Sequence, residues 1–165
     1  MPILDRHSLE FFSRSADQTR RVGMRLGSLL QTGDVICLEG ELGTGKTTLV
    51  QGMAAGWGSL DPVSSPTFVL VNLYRRLDGL TMAHLDAYRI SSSAEALALD
   101  LEALVAKGPL VVEWAERIAT AMPETNMWIN LDWVADEHRE MRFRAHGSRY
   151  DDILEHFQED MFGLV

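Results

Sequence analysis

Hydrophobic and polar positions in the first third of the chain follow an alternating order of strand and helix. Residues 9–13 predict a short strand, and residues 15–31 follow with apolar side chains at helical spacing. The apolar run at residues 35–38 is typical of a central strand that is covered on both faces. A glycine-rich loop at residues 40–45 then precedes a helix predicted over residues 46–55. The central feature is therefore strand, glycine loop and helix.

The middle of the chain predicts a hairpin and a further helix. Residues 67–73 and 80–85 have the composition of two strands, and the turn dipeptide at residues 78–79 joins them. Residues 92–95 resemble a capping box, and the apolar spacing that follows predicts one helix leading to a buried strand at residues 110–112. The sheet is therefore predicted to be mixed, with parallel and antiparallel strands.

The last third predicts two strands, at residues 127–134 and 140–145, and a final amphipathic helix at about residues 149–162. The whole pattern predicts a single α/β domain over residues 1–165, with a mostly parallel central sheet, antiparallel additions and helices on both faces. At 165 residues and 46% apolar composition, the chain is long enough for one substantial core.

Charge and composition exclude some functions. A formal net charge of -9 argues against a protein that holds nucleic acid alone, because phosphate binding needs a clustered positive surface. Four arginines near the end could form a basic face, although their alternation with apolar residues fits an exposed strand face better: Arg139, Arg142, Arg144 and Arg149. The single cysteine, Cys37, is expected to be a buried thiol. We expect a soluble, cytoplasmic protein without a membrane segment.

Residues 40–47 match the phosphate-binding P-loop pattern, in which a glycine, four residues and a second glycine precede lysine and then serine or threonine. Glycines let the backbone N–H groups turn toward phosphate oxygens, and the helix that follows adds its positive N-terminal end. Lys46 is expected to reach the β and γ phosphates, and the Thr47 hydroxyl to supply an oxygen to Mg²⁺. The loop therefore predicts that the α/β domain is a P-loop NTPase domain, which binds ATP with Mg²⁺.

Two carboxylates follow predicted strands at the edge where α/β sheets bind their ligands. Asp86 comes after the strand at residues 80–85, and Glu113 comes directly after residues 110–112. Either could hold Mg²⁺ or one of its waters. A turn cap before Tyr88 is the structural alternative for Asp86, and a salt bridge to Arg117 is the alternative for Glu113.

Two further features stand near these positions. His84 shares a strand face with Asp86, which could indicate a metal pair, but a buried and hydrogen-bonded histidine is the favoured interpretation because no third ligand has suitable spacing. Residues 64–68 follow the P-loop helix, where their hydroxyls could sense the γ phosphate, or they could form an ordinary turn into the next strand. Three tryptophans are expected in the core or at its rim: Trp57, Trp128 and Trp133.

Four blocks in this order resemble the small bacterial P-loop ATPases called TsaE or YjeE, which take part in making threonylcarbamoyladenosine in tRNA. The blocks are GELGTGKTT at residues 40–48, SPTF at 65–68, HLDAYR at 84–89 and VEWAE at 112–116. Thr19, Gly23 and Arg139 also match family positions. The resemblance covers about residues 8–146.

This resemblance implies an ATPase site and protein partners. It implies catalytic roles for Lys46, Asp86 and Glu113, and an association of Thr47, Asp86 and Glu113 with Mg²⁺. The positions that it implies for nucleotide binding are Thr19, Glu41, Leu42, Gly43, Thr44, Gly45, Lys46, Thr47 and Thr48. It also implies a weak, partner-stimulated ATPase that assists the TsaB–TsaD transferase and meets tRNA only through that complex.

Two other functions stay open from the residues alone. A small-molecule kinase would need an arginine-bearing lid after the P-loop helix, for which Arg75, Arg76 and Arg89 are available. A nucleotide-binding adaptor without catalysis would need no acidic partner, and the presence of Asp86 and Glu113 argues against it. A GTPase is disfavoured because the chain contains no Asn-Lys-x-Asp segment that would read guanine.

Overall fold

The protein is described from a computed structural model, which covers residues 5–64 and 70–162. Within these ranges the secondary structure consists of strands, α-helices and one 3-10 helix at Ala115–Ala121. The strands are β1 Ser8–Ser13, β2 Val35–Glu39, β3 Val71–Arg75, β4 Thr81–Asp86, β5 Leu110–Glu113, β6 Asn126–Ala135 and β7 His138–His146. The helices are α1 Ala16–Gly27, α2 Lys46–Trp57, α3 Ser93–Leu97, α4 Leu101–Val105 and α5 Ser148–Phe162.

The strands form one mixed sheet in the order β1-β7-β6-β2-β5-β4-β3. The four central strands β6, β2, β5 and β4 run parallel, whereas β1, β7 and β3 pair antiparallel with their neighbours. Strands β2 and β5 are buried on both faces, which explains why their sequences are continuous apolar runs. The predicted mixed sheet with a parallel centre is confirmed.

Helices cover both faces of this sheet, as predicted. On one face, Ile36 and Leu38 of β2 lie in the same core as buried side chains of α1, α2 and α5. On the other face, Val35 and Cys37 lie in a second core with residues of α3 and of the 3-10 helix. This arrangement follows from the alternation of side chains along a strand. It also confirms that Cys37 is a buried thiol.

Helices α1 and α2 pack against each other through glycines. Gly23 and Gly27 of α1 face Gly52 and Gly56 of α2, and a Cβ added at any of the four would collide with backbone atoms of the opposite helix. Glycine therefore sets the short distance between the two helix backbones. Because α2 begins at Lys46, within the P-loop motif, this packing also fixes where the loop lies against α1.

The single helix predicted after residues 92–95 is wrong, because the structure has two short helices there. Ser92 caps α3 by accepting a hydrogen bond from the Glu95 N–H, at 3.2 Å. Asp100 then takes a left-handed backbone conformation at φ 51°, and its carboxylate accepts from Ala103 N to begin α4. The left-handed residue breaks the helical path between the two elements.

Other predicted elements are confirmed with small shifts at their ends. The hairpin of β3 and β4 turns at Gly79, which has φ 87°, and pairs Tyr74 with Met82. The described part of β3 begins at Val71, and the earlier residues of the predicted strand, 67–69, lie outside the described ranges. No helix in the described residues is long and apolar enough to cross a membrane.

Candidate functional site

The P-loop connects the C-terminal end of β2 with the N-terminal end of α2. Gly40, Gly43 and Gly45 all have positive φ angles, of 151°, 82° and 99°. A Cβ at position 40 would collide with the carbonyl oxygen of Leu131, so the first glycine is required by close backbone approach. Gly45 is the N-cap residue of α2, and the helix therefore directs its free N–H groups into the loop.

Lys46 is the basic side chain at the centre of this loop. It is only 5% exposed, and its Nζ donates to the carbonyl oxygens of Gly40, at 2.5 Å, and Glu41, at 3.0 Å. The Nζ also lies 4.3 Å from the centroid of the Trp114 ring, within range of a cation–π interaction. Burial lowers the pKa of Lys46, and the carboxylates of Glu113, Glu116 and Asp86 oppose that shift.

The two predicted carboxylates lie side by side at the same edge of the sheet. Asp86 and Glu113 are register partners of the parallel strands β4 and β5, and Glu113 is also the partner of Leu38 at the end of β2. Burial raises the pKa of Asp86, the N–H of Tyr88 opposes this shift, and the charge of Glu113 adds to it. The structure therefore brings both carboxylates next to the strand that enters the P-loop.

Each carboxylate also has a local bond. Asp86 accepts from the N–H of Tyr88 at 2.9 Å, so the turn cap considered as its structural alternative is present. Glu113 is hydrogen-bonded to His84 and not to Arg117, whose guanidinium lies 4.9 Å from the Tyr88 ring centroid. The turn cap leaves Asp86 Oδ1 with a spare lone pair and Oδ2 available, since one carboxylate accepts several hydrogen bonds.

His84 is fully buried and hydrogen-bonded through both ring nitrogens. Its Nε2 bonds the carboxylate of Glu113, and its Nδ1 lies 2.8 Å from the hydroxyl of Tyr74. The favoured interpretation of this histidine is confirmed. Sequence reasoning did not single out Tyr74, because its strand alternation marks it only as a core residue.

Arg139 joins the distant hairpin of β6 and β7 to the P-loop. Its guanidinium donates to the carbonyl oxygens of Thr44, at 3.0 Å, Gly43, at 3.2 Å, and Asp136, at 2.8 Å. The four arginines near the end therefore do not share one face. Arg142 and Arg144 lie on the exposed face of β7, whereas Arg149 lies in the first turn of α5 and pairs with buried Asp34.

The remaining predicted positions surround the loop. Thr19 of α1 is buried, its hydroxyl lies 2.6 Å from that of Ser13, and its methyl group lies 4.0 Å from a Cβ built on Gly45. Thr47 and Thr48 are half-buried in the first turn of α2. The other positions are at the turn: Thr44 is buried and donates to the Glu41 carbonyl, and Glu41, Leu42 and Gly43 are exposed.

The donor set fits Mg²⁺. This cation prefers oxygen ligands and uses one or two carboxylates besides waters and phosphate oxygens. Asp86, Glu113 and the Thr47 hydroxyl are all oxygen donors at this edge of the sheet, and the described residues contain no group of three His, Cys, Asp or Glu side chains that would hold a metal by themselves.

A cleft beside the start of the loop carries mostly acidic side chains. Its charged lining consists of Glu39, Glu41, Glu116, Asp132 and one basic residue, Arg117. A polyphosphate without a cation would be repelled there. Of the predicted switch segment, only Ser64 is described, and residues 65–68 lie outside the described ranges.

A parallel-centred sheet with this loop between β2 and α2 defines the protein as an α/β P-loop domain. The family described as "Threonylcarbamoyl adenosine biosynthesis protein TsaE" matches residues 13–141. The chain belongs to the TsaE family, which takes part in tRNA threonylcarbamoyladenosine biosynthesis.

Three relatives show how much of the chain this family covers. The chain is 40% identical over 130 residues to the tRNA threonylcarbamoyladenosine biosynthesis protein TsaE of Treponema pallidum, covering 78% of this chain and 95% of that protein. It is 36% identical over 148 residues to the TsaE of Bacillus subtilis, covering 89% and 92%. The crystal structure of YdiB from Bacillus subtilis has a TM-score of 0.77 and 30% identity, covering 93% of this chain and 95% of that chain.

Proposed function

We propose that the protein binds ATP with Mg²⁺ in its P-loop and hydrolyses it slowly. The observation that carries this proposal is the convergence of three groups at one edge of the sheet: the Lys46 ammonium in the loop and the carboxylates of Asp86 and Glu113 on adjacent strands. A positive charge beside free helix N–H groups suits phosphate, and nearby carboxylates suit its cation.

Each residue has a role in this proposal that its chemistry allows. Lys46 exchanges its hydrogen bonds to the Gly40 and Glu41 carbonyls for hydrogen bonds to phosphate oxygens. Its ammonium group has three N–H donors, so phosphate oxygens can replace the two carbonyls without leaving a donor unused. Thr47 and Glu113 would hold Mg²⁺ directly or through water, and the bound cation would neutralise charge on the phosphate oxygens. Asp86 orients the attacking water, and its raised pKa reflects a carboxylate that is partly removed from solvent.

We further propose that this ATPase assists a transferase of TsaB and TsaD in the modification of tRNA. The family places the chain in threonylcarbamoyladenosine biosynthesis, and the net charge of -9 favours contact with protein subunits over direct binding of tRNA. We expect slow hydrolysis by the isolated chain if a partner must complete its site, because an arginine inserted by a partner is worth about 1,000- to 100,000-fold in related phosphoryl transfers.

The kinase alternative has less support from the structure. Arg75 is paired with Asp61 at 2.8 Å, and Arg76 is paired with Asp78 at 2.7 Å. Both pairs lie at the far end of β3, where the strand joins its hairpin turn. These two guanidinium groups are therefore engaged in holding the hairpin and its neighbouring turn.

The test is ATP hydrolysis with Mg²⁺ by the purified chain, first alone and then with TsaB and TsaD of the same organism, with tRNA modification scored in the same reactions. We expect slow hydrolysis alone, faster hydrolysis with the partners, and repeated rounds of modification only when this chain is present. Consumption of ATP that depends on a small hydroxylated metabolite, with no effect of the partners, would establish the kinase instead. ATP binding without hydrolysis under every condition would establish the adaptor.

A further inference from the structure

A chain of hydrogen bonds connects three adjacent strands and ends at the carboxylate of Glu113. The Tyr74 hydroxyl of β3 lies 2.8 Å from His84 Nδ1 of β4, and His84 Nε2 bonds Glu113 Oε2 of β5. At its outer end, the oxygen of the same hydroxyl lies 3.3 Å from the carbonyl oxygen of Ser64. This series of hydrogen bonds thus runs from the edge strand of the sheet to the candidate metal site.

All three side chains are withdrawn from water. His84 is 0% exposed, Tyr74 is 3% exposed and Glu113 is 5% exposed. Leaving a buried polar group without its partner costs about 1–3 kcal/mol, so each of these three hydrogen-bonded side chains holds the next in one orientation. The neighbour of His84 on the same face, Met82, is an ordinary apolar core residue, and packing alone therefore does not call for a histidine here.

We propose that His84 and Tyr74 are positioning residues, which orient the Glu113 carboxylate for the cation of the candidate site. This inference rests on the proposed function, in which Glu113 supplies an oxygen to Mg²⁺ or to one of its waters. An ionised carboxylate only accepts hydrogen bonds, so His84 Nε2 donates to Oε2. That bond arrests rotation of the carboxylate and keeps Oε1 for the cation, while Tyr74 fixes the plane of the imidazole ring.

The expected effect is on metal affinity and not on the nucleotide alone. Groups that orient metal ligands typically change metal affinity by about 10- to 100-fold when they are removed. We therefore expect His84→Leu to raise the Mg²⁺ concentration needed for half-maximal tightening of ATP binding by about tenfold or more. Tyr74→Phe should produce a smaller shift in the same direction, and His84→Gln, which keeps an amide donor, should restore part of the loss.

The experiment measures the affinity of each variant for a fluorescent ATP analogue, first in EDTA and then across a titration with Mg²⁺. Binding of Mn²⁺ to the protein–nucleotide complex, followed by electron paramagnetic resonance, gives a second measure that does not depend on turnover. Tyr150→Phe is the matched control, because Tyr150 is also 3% exposed and its hydroxyl accepts a buried bond from Val35 N at 2.8 Å. It should lose stability like Tyr74→Phe without changing the Mg²⁺ titration.

The outcomes separate this inference from the function on which it rests. If the unaltered protein binds the analogue equally well with and without Mg²⁺, both the metal site and the positioning role are overturned. If it depends on Mg²⁺ but the variants at His84 and Tyr74 titrate identically to it, only the positioning role is overturned. If the variants lose affinity for the ATP analogue equally in EDTA and in Mg²⁺, the hydrogen bonds of Tyr74 and His84 have only a structural role. Should His84→Leu not fold, Tyr74→Phe and His84→Gln decide the question.

Discussion

Asp86 and Glu113 are register partners across two parallel strands, yet their surroundings differ. Glu113 is buried and bonded to His84, whereas Asp86 is half-buried and accepts one bond from the backbone of Tyr88. Glu113 is therefore held in place by a side-chain network, and Asp86 by a local turn. This difference favours a structural and metal-holding role for Glu113 and a reactive role for Asp86.

The first prediction separates binding from hydrolysis. Asp86→Asn should keep the affinity for Mg²⁺ and ATP near that of the unaltered protein and lower the hydrolysis rate by about 100-fold or more, as loss of a group acting mainly in the transition state does. Lys46→Ala should weaken ATP binding by about tenfold or more, because a hydrogen bond to a charged group contributes about 1.5–3 kcal/mol. Both values come from calorimetric titration and single-turnover hydrolysis.

An exposed carboxylate provides the control for this pair. Asp78→Asn removes a surface acid that pairs with Arg76, and it should leave both measurements unchanged. Equal losses of ATP affinity in Asp86→Asn and Lys46→Ala would contradict the assignment of separate roles.

The second prediction concerns the link between Arg139 and the P-loop. A guanidinium bond to the Thr44 carbonyl holds that peptide group, and the Gly45 N–H of the same peptide then points the opposite way, which prepares it for phosphate. Arg139→Ala should weaken nucleotide binding by about tenfold, and Arg139→Lys should recover little, because one ammonium cannot reproduce the fork that spans several carbonyls. Affinity for an ATP analogue in the presence of Mg²⁺ is the measurement.

Arg144→Ala is the matched control, since Arg144 lies on the exposed face of the same strand. It removes the same charge from the protein without touching the P-loop. A similar loss of affinity in both variants would show that Arg139 acts through the net charge alone.

Local patterns predicted most of the fold because each element bears its own signal. The apolar runs of β2 and β5 indicate doubly covered strands, and the position of the P-loop between a strand and a helix could be read directly. The break between α3 and α4 could not be predicted, because the apolar spacing continues across Asp100 and does not show its left-handed conformation. Asp occurs in helices as well as in turns, so the residue type alone did not indicate a break between two helices.

Local sequence signals also identified only part of the candidate site. Lys46, Asp86 and Glu113 follow directly from motif spacing and strand ends. The roles of Tyr74 and Arg139 depend on contacts between different elements of the fold: Tyr74 reaches His84 across a hairpin, and Arg139 bonds a carbonyl 96 positions earlier. No short-range periodicity encodes such contacts, although the departure of an arginine from the exposed face of a strand is a usable signal.

The third prediction concerns the reactivity of Cys37. Burial raises the pKa of its thiol to about 12, and the charge of Glu39 adds to this effect. The thiolate is the reactive species, so the folded protein should resist a thiol-specific reagent at pH 8 and react once it is unfolded in guanidinium chloride. Since the pKa is raised on folding, stability from the neutral thiol is complete below about pH 9 and is lost as the pH rises toward 12.

The chain contains one cysteine, so the measured reaction reports a single site. Cys37→Ser provides the blank for both conditions. Fast labelling of the folded protein at pH 8 would show that β2 opens readily, which contradicts its place in the centre of the sheet.

The fourth prediction concerns the glycines between α1 and α2. Helix propensity alone predicts that Gly52→Ala stabilises the protein by about 0.5–1 kcal/mol. The structure predicts the opposite sign, because the added Cβ would collide with the backbone carbonyl of Arg20, which cannot rotate away as a side chain would. We expect a net loss of about 1–3 kcal/mol in the free energy of unfolding, measured by urea denaturation.

Gly33→Ala is the comparison: nothing lies near its added Cβ, so its only cost is the left-handed backbone at φ 96°, about 1–2 kcal/mol. Because the collision moves α2, Gly52→Ala should also weaken nucleotide binding, whereas Gly33→Ala should not. A stabilised Gly52→Ala protein would show that the two helices separate at little cost, and that their close packing does not position the P-loop.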